Sequence, residues 1–263
     1  MKKNYHTHTV RCHHADGTER EYIEKAVEAG LETLGFSDHT PYIFKDGYVS
    51  PSKMLPEELP GYVDTLQKLR KEYEDRLYIP IGLETEYYRD NWDDYLRMID
   101  HSGVEYMILG QHFSKLETWG AKYSGRADDD RQRVNDYIDS VVDGARTGLF
   151  SYIAHPDMIN YKGEDEEWFI SRLDYMVKQV MNEGLPFEIN MLGLRENRHY
   201  PSRRFLKILG ENHATVILGS DAHEPQWVYH QPTIDRALEL VAEYRLTLTE
   251  DPDIGRLRRK GLL

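Results

Sequence analysis

The sequence predicts an α/β fold with a parallel sheet, either open or closed into a barrel. Three observations favour this class. Short apolar runs alternate with amphipathic helical patterns, seven such runs occur, and histidines or carboxylates follow one run after another. Strand–helix alternation of this length is typical of parallel strands joined by right-handed crossovers. We expect a single domain spanning residues 1–263, a length sufficient for one sizeable core.

The apolar runs are the candidate strands, because each is short and bounded by helical patterns or turns. They cover residues 4–8, 33–37, 78–84, 106–110, 152–154, 186–190 and 215–219.

The first helix is predicted from Ile23, Ala26 and Val27, which share one face. Thr18 followed by Glu21 forms a capping-box pattern at its start, and Gly30 marks its end. Later helices show the same spacing at Leu59, Val63, Leu66 and Leu69, at Val134, Ile138 and Val141, at Phe169, Leu173, Met176 and Val180, and at Ile234, Leu238 and Val241.

Composition excludes several classes of partner. The formal net charge is -13, and no run of Lys and Arg offers the basic face that a nucleic acid needs. No stretch approaches the roughly 20 apolar residues of a membrane span. The first residues lack an apolar signal region, and Cys12 is the single cysteine, so we expect a cytoplasmic protein. The oligomeric state is not readable from the sequence.

The candidate metal ligands collect at one end of the predicted strands. His6 and His8 share a strand face, because side chains alternate with a period of two. The others fall at or just after the C-terminal end of a run: His39, Glu84, His112, His155, Asp221 and His223. Imidazole and carboxylate groups bind zinc, iron and manganese. In barrels this end of the strands builds active sites, so we expect several metal ions there.

Some ligand choices have alternatives. His14 is the preferred ligand of its segment, with His13 or Asp16 as alternatives, and Glu86 is the fallback for Glu84. Asp38 is either a ligand or an acceptor that orients an imidazole N–H. Cys12 is either a ligand or, more often for a free cysteine, a small buried filler.

A phosphate group would suit the cations near the same end. Arg195 follows the run at 186–190 and can bind phosphate through two parallel hydrogen bonds. His199 and Lys162 are further candidates for substrate binding, and Arg126 and Lys115 are weaker ones. The irregular stretches 40–56 and 112–130 leave the same end and are expected to be substrate loops or lids.

Taken together, these motifs resemble the polymerase-and-histidinol-phosphatase (PHP) superfamily over nearly the whole chain. They are His6-Thr7-His8-Thr9, Ser37-Asp38-His39, Glu84, Gly110-x-His112, Ala154-His155-Pro156 and Ser220-Asp221-Ala222-His223. The segments Arg11-Cys12-x-His14-Ala15, Asp38-His39-Thr40-Pro41 and Glu188-Ile189-Asn190 through Gly193-Leu194-Arg195 are similar to its monofunctional histidinol-phosphatase branch.

The resemblance implies a distorted (βα)7 barrel and three divalent ions of zinc, iron or manganese. One ion would take His6, His8, Glu84 and Asp221; a second Glu84, His112 and His155; and the third His14, His39 and His223. It also implies hydrolysis of L-histidinol phosphate in histidine biosynthesis, with Glu84, Asp221, His223 and Arg195 acting in catalysis.

Three alternative functions remain at this stage. The first is a PHP phosphoesterase that acts on another phosphomonoester or a nucleotide. An amidohydrolase also begins with His-x-His on a barrel strand, but it would not need His39 or the pair Asp221 and His223. A metal-binding regulatory module would be expected to have lost a ligand, and the ligand set has no gap.

Overall fold

The strands of the computed structural model, which describes residues 1–262, all run parallel to the strands with which they pair. They are β1 Lys3–Asn4, β2 Thr33–Leu34, β3 Phe36–His39, β4 Ile81–Thr85, β5 Tyr106–Leu109, β6 Phe150–Ile153, β7 Phe187–Asn190, β8 Thr215–Gly219 and β9 Thr247–Leu248. β1 pairs with β2, and β3 to β9 form a seven-stranded sheet in sequence order. Neighbours in sequence are therefore neighbours in space, so all strand ends point to one side.

Helices connect most of these strands. They are α1 Glu19–Glu28, α2 Leu59–Glu72, α3 Trp92–Ile99, α4 Arg131–Arg146, α5 Glu166–Asn182, α6 Met191–Arg195, α7 Arg203–Glu211, α8 Gln231–Glu243 and α9 Arg256–Arg259. The capping box expected at Thr18 and Glu21 is present at the start of α1. None of the helices within residues 1–262 has both the length and the apolar character needed to cross a bilayer.

Residues 4–8 lie between β3 and the end of β8. The Ser37 N–H donates to Thr7 O (2.8 Å) on one side, and the His8 N–H donates to Ala222 O (3.0 Å) on the other. The Asn4 side-chain amide also donates to Ser220 Oγ at 2.7 Å. This segment therefore connects the first strand of the seven-stranded sheet with the sixth, and it places His6 and His8 among the strand ends.

The α/β class and the parallel strands are confirmed, and three details differ from the sequence prediction. The run 4–8 is a strand only at its start, because the side chain of Asn4 replaces part of the backbone ladder. The run 33–37 is divided at Gly35, where a Cβ atom would lie 2.4 Å from Tyr106 Oη. The Tyr106 hydroxyl donates to Phe36 O and Tyr5 O at this point. The two-residue β9 and the short helix α6 were not predicted from the sequence.

Two apolar layers lie on the two faces of the sheet. The larger layer packs the helices against the strands. The smaller fills the interior below the strand ends, with Tyr5, Tyr106, Ile108, Tyr152, Ala154 and Ile217. This inner layer excludes water beneath the strand ends and forms a rigid floor for the polar groups above it.

A glycine tests how tightly this interior is packed. A Cβ atom at Gly82 of β4 would lie 2.4 Å from the Tyr106 ring, so Gly82→Ala is expected to lower the free energy of unfolding by about 1–3 kcal/mol through overpacking. Urea denaturation followed by circular dichroism measures this. The matched control is Gly61→Ala in α2, where a Cβ atom meets nothing within 4 Å. Its helical position predicts a gain of about 0.5–1 kcal/mol. Equal effects of the two variants would contradict the tight interior.

Candidate metal centre

Glu84 lies at the centre of a buried polar cluster at the carboxyl ends of the strands. Five imidazoles place a ring nitrogen within 3.6 Å of its carboxylate: those of His6, His8, His39, His112 and His155. The shortest of these distances join Oε1 to His155 Nε2 (2.6 Å) and Oε2 to His39 Nδ1 (3.0 Å). At Gly110 a Cβ atom would lie 2.0 Å from Glu84 Oε1, so the carboxylate occupies space that this glycine leaves open.

Asp221 supplies a second carboxylate to the same cluster. Its Oδ1 lies 3.0 Å from His8 Nε2 and 3.5 Å from His6 Nε2. The Asn190 amide donates to its other oxygen at 3.0 Å. Asp221 has a φ of +48° and His155 has a φ of +29°, values that are uncommon for residues other than glycine. Backbone strain at two such positions is typical of functional sites.

A third group of imidazoles lies on the solvent side. His14 Nε2 faces His223 Nε2 at 3.0 Å, and the ring centroids of His14 and His39 are 5.1 Å apart. His13 adopts a left-handed conformation (φ +65°), and its ring lies 3.7 Å from Glu58 instead. The structure therefore brings His14 to the cluster and leaves His13 outside it. The side chain of Asp16, the other alternative, is exposed.

The chemistry of this donor set fits metal ions. Among residues 1–262, the buried atoms His6 Nε2, His8 Nε2 and Glu84 Oε2 make no well-aligned hydrogen bond, although polar atoms lie as close as 3.0 Å to two of them. The Nε2 atoms of His14 and His223 face each other. If one of them carries a hydrogen, it can donate to the other; if neither does, two lone pairs point at each other. Sets such as His6, His8 and Asp221 hold their ligand atoms within 4.8 Å of one another. A shared cation accounts for all three features.

The pKa shifts agree with a site for positive charge. Burial lowers the pKa of His39 and of His223 well below the ordinary value, so both are neutral and able to act as ligands. Burial also opposes protonation of His6, but Glu188, Asp221 and Glu84 outweigh it and raise the pKa of His6 to about 10. The carboxylates thus favour a positive charge beside His6, which a proton or a metal cation can supply.

Glu188 is a residue that sequence reasoning did not include in the site. Its Oε1 lies 2.7 Å from His6 Nδ1, and its Oε2 accepts the backbone N–H of His155 at 2.8 Å. Gly219 leaves the space for it, since a Cβ atom there would lie 1.7 Å from Glu188 Oε1. The signal available in the sequence was its spacing of two from Asn190, which places both side chains on the inner face of β7.

Asp38 and Cys12 support the cluster from behind. Asp38 accepts the Thr9 backbone N–H at 3.2 Å, and its Oδ1 lies 3.4 Å from His8 Nδ1. This is the geometry of an acceptor that orients the ring of His8. Cys12 is buried, and its thiol donates to Thr9 O (3.1 Å), which is the geometry of the filler alternative.

A cavity of about 380 Å³ opens above the cluster. Its lining includes the predicted Arg195, whose guanidinium lies 4.2 Å from the centroid of the Trp227 ring. It also includes Arg198 and Lys53, two cations that were not predicted. The cavity thus has the candidate metal ligands at its floor and cations at its wall, which suits an anionic substrate.

The other predicted substrate residues lie elsewhere. Lys162 is exposed and lines a separate groove with Asp129 and Arg131, and its backbone N–H donates to Asp128 O. His199 is absent from the cavity lining that residues 1–262 form, and its Nε2 lies 2.8 Å from Met158 O. The structure therefore brings neither side chain to the cavity.

Comparison with known proteins gives a consistent family assignment. A family model for the PHP domain matches residues 4–191. A probable histidinol-phosphatase of Deinococcus radiodurans is 32% identical over 232 residues, which cover 84% of this chain and 85% of that protein. Another of Schizosaccharomyces pombe is 27% identical over 260 residues, covering 88% and 84% respectively.

A solved structure shares the fold. The histidinol phosphate phosphatase of Lactococcus lactis, crystallised with zinc, L-histidinol and phosphate, superposes with a TM-score of 0.71 over 94% of this chain and 95% of that one. The two sequences are 18% identical in this alignment.

Substitution of the central carboxylate tests the metal centre. Glu84→Gln keeps the volume of the side chain but removes its charge. Changing a residue that only hydrogen-bonds to a metal ligand lowers metal affinity by roughly 10–100-fold, and we expect a larger loss here because Glu84 would be a ligand itself. Elemental analysis after dialysis measures the metal content. The control Glu74→Gln changes an exposed glutamate and is expected to keep it. Full metal content in Glu84→Gln would contradict the site.

Proposed function

The chain belongs to the PHP domain family, and from this premise we propose that it is a metal-dependent histidinol-phosphatase that hydrolyses L-histidinol phosphate to L-histidinol and phosphate. The observation that carries the proposal is the Glu84 cluster at the floor of a cavity lined by Arg195 and Arg198. The name of the Deinococcus radiodurans relative supports the substrate. Location in the cytoplasm stays a prediction that rests on the single cysteine.

We assign three divalent ions to the cluster by matching the family motifs to the geometry. His6, His8, Glu84 and Asp221 would hold the first, Glu84, His112 and His155 the second, and His14, His39 and His223 the third. Zinc, iron and manganese all suit these nitrogen and oxygen donors. When bound, the ions would supply a water of lowered pKa as the nucleophile and positive charge for the phosphoryl oxygens.

Glu84, Asp221 and His223 serve this reaction by holding the donor atoms in place. Both oxygens of Glu84 face imidazoles, Oε1 towards His155 and Oε2 towards His39, so its carboxylate can serve two ions at once. The Asn190 amide N–H, which donates to Asp221 at 3.0 Å, fixes the orientation of this carboxylate before substrate binds. Such preorganisation lowers the cost of assembling charge in the transition state.

Arg195 is the residue to which we assign the phosphoryl group. Its side chain is mostly buried and packs on the Trp227 ring. Burial lowers the pKa of its guanidinium, because it disfavours the charged form. An anion bound in the cavity would stabilise that charge. Arg198 is less free to bind the substrate, because it donates to Tyr200 Oη (2.7 Å) and to Glu196 (2.8 Å). A planar guanidinium held against a ring offers two parallel N–H groups to phosphate.

The net charge of -13 does not conflict with an anionic substrate. Three divalent ions bring six positive charges, as the assigned stoichiometry requires, and Glu84 and Asp221 remove two. The field inside the cavity is therefore set by the centre and by the neighbouring arginines. The acidic residues elsewhere on the surface are screened by solvent.

The direct test measures phosphate release from histidinol phosphate beside a panel of other phosphomonoesters, with metals quantified on the same sample. We expect a strong preference for histidinol phosphate, loss of activity after chelation and recovery when divalent metal is returned. Preference for another ester would keep the metal-dependent chemistry and overturn the substrate. Metal binding without hydrolysis of any ester would overturn the enzyme function.

The role of Arg195 has its own test. Arg195→Ala removes the guanidinium without touching a metal ligand, so kcat/KM for the phosphate ester should fall by about 10²–10³-fold while the metal content stays the same. Steady-state kinetics and elemental analysis on one preparation measure both quantities. Arg97→Ala, at an exposed arginine of α3, is the control and should behave as the wild type. Unchanged kinetics in Arg195→Ala would remove this residue from the site.

A further inference from the structure

A buried group of three charges lies beside the cavity, which we call the Lys53 cluster: Lys53, Glu86 and Glu117. Their exposed fractions are 3%, 2% and 2%. Lys53 Nζ lies 2.5 Å from Glu86 Oε2 and 3.3 Å from Glu117 Oε2. Burying an ammonium with two carboxylates carries a large desolvation cost and is weak evidence for stability. The cluster therefore calls for an explanation other than general stabilisation of the fold.

Glu86 connects this cluster with a ligand of the metal centre. Its Oε1 accepts the backbone N–H of His112 at 3.0 Å and lies 3.5 Å from His112 Nδ1. The other ring nitrogen of His112 faces Glu84 Oε1 at 3.6 Å. His112 thus lies between two carboxylates, one in the centre and one behind it. An outer carboxylate of this kind fixes the orientation and tautomer of a metal-binding imidazole.

Glu117 connects the cluster with the two long loops. Its Oε1 accepts hydrogen bonds from Tyr48 Oη and Ser50 Oγ, both at 2.9 Å. The Trp119 ring packs edge-on against Tyr48, with centroids 5.0 Å apart. Residues 40–56 and 112–130 are therefore joined to each other through Glu117, and Lys53 joins them to Glu86, which contacts His112.

Lys53 differs from the other lysines of these loops. Lys45, Lys115 and Lys122 are exposed and pair with Asp94, Asp136 and Asp128 on the surface. Surface pairs of this kind contribute little to structure. Only the ammonium of Lys53 is buried against the carboxylate that contacts a metal ligand.

From this arrangement we propose that Lys53 is a positioning residue for His112, acting through Glu86, and that it fastens the two long loops to the metal centre. The inference rests on the proposed metal-dependent function. Lys53 balances the charge of Glu86 and holds its carboxylate at the backbone and ring of His112. Without this ammonium, Glu86 and Glu117 repel each other, and the ring of His112 loses its fixed orientation.

Metal release to a chromogenic chelator tests the proposal without any substrate. Lys53→Met keeps most of the length of the side chain but removes the charge, so the affinity for the metal held by His112 should fall by about 10–100-fold while the other metals are retained. Lys53→Arg keeps the charge and should restore retention at least in part. Lys45→Met, at an exposed lysine of the same loop, is the matched control and should release metal as the wild type does.

A double-mutant cycle identifies the route through Glu86. Glu86→Gln should weaken the same metal, and Lys53→Met should add nothing further in that background, because residues acting through one contact are not additive. Wild-type retention in either single variant, or additive losses in the double variant, would overturn the proposal. So would an equal loss of all metals with a lowered unfolding midpoint, which would show a merely structural role.

The loops provide an independent measurement. Glu117→Gln leaves the contact between Lys53 and Glu86 intact, so metal retention should persist while chymotryptic cleavage at the exposed Trp119 becomes faster. Faster metal release in this variant, or unchanged cleavage, would contradict the proposal that Glu86 orients His112 and Glu117 holds the loops. None of these measurements uses an ester, so they remain valid whichever phosphomonoester the enzyme prefers.

Discussion

The Glu84 carboxylate is buried among imidazole rings, and it requires positive charge close by to remain ionised there. Burial alone would raise its pKa, but the surrounding imidazoles of His112, His39, His6 and His155 hold the pKa well below the ordinary value. A buried anion without such partners is among the most costly features a protein interior can contain. The surrounding structure must therefore bring the imidazoles at the strand ends close to this one carboxylate.

The strands meet this requirement by two means. They bring imidazoles from separate parts of the chain to a single point, and they leave out side chains where the carboxylates need space, as at Gly110 and Gly219. Behind the imidazoles, outer carboxylates fix the rings: Glu188 for His6, Asp38 for His8 and Glu86 for His112. In each of these three rings the Nδ1 atom faces an outer carboxylate, and the Nε2 atom points towards Glu84.

The wall of the cavity is built from segments that follow the strands. Arg195 ends the short helix α6, which starts directly after β7 and is capped by the Asn190 side chain accepting the Gly193 N–H at 2.8 Å. The same Asn190 donates to Asp221 in the Glu84 cluster. The position of Arg195 and the orientation of the Asp221 carboxylate therefore depend on one side chain.

The sequence by itself determined the α/β class, the parallel strands and the choice of residue types at the strand ends, because hydrophobic periodicity and ligand chemistry are local properties. It predicted that His6, His8, Glu84 and Asp221 lie together at one end of the strands, and the structure brings these side chains together. Only the tertiary structure decided between His13 and His14, because the left-handed turn at His13 directs one ring away. It alone showed Glu188 and Lys53, whose roles depend on partners at distant positions in the chain. It also placed Lys162 outside the cavity. Packing between distant segments decides which charged side chains meet, and the spacing of residues along the chain does not show it.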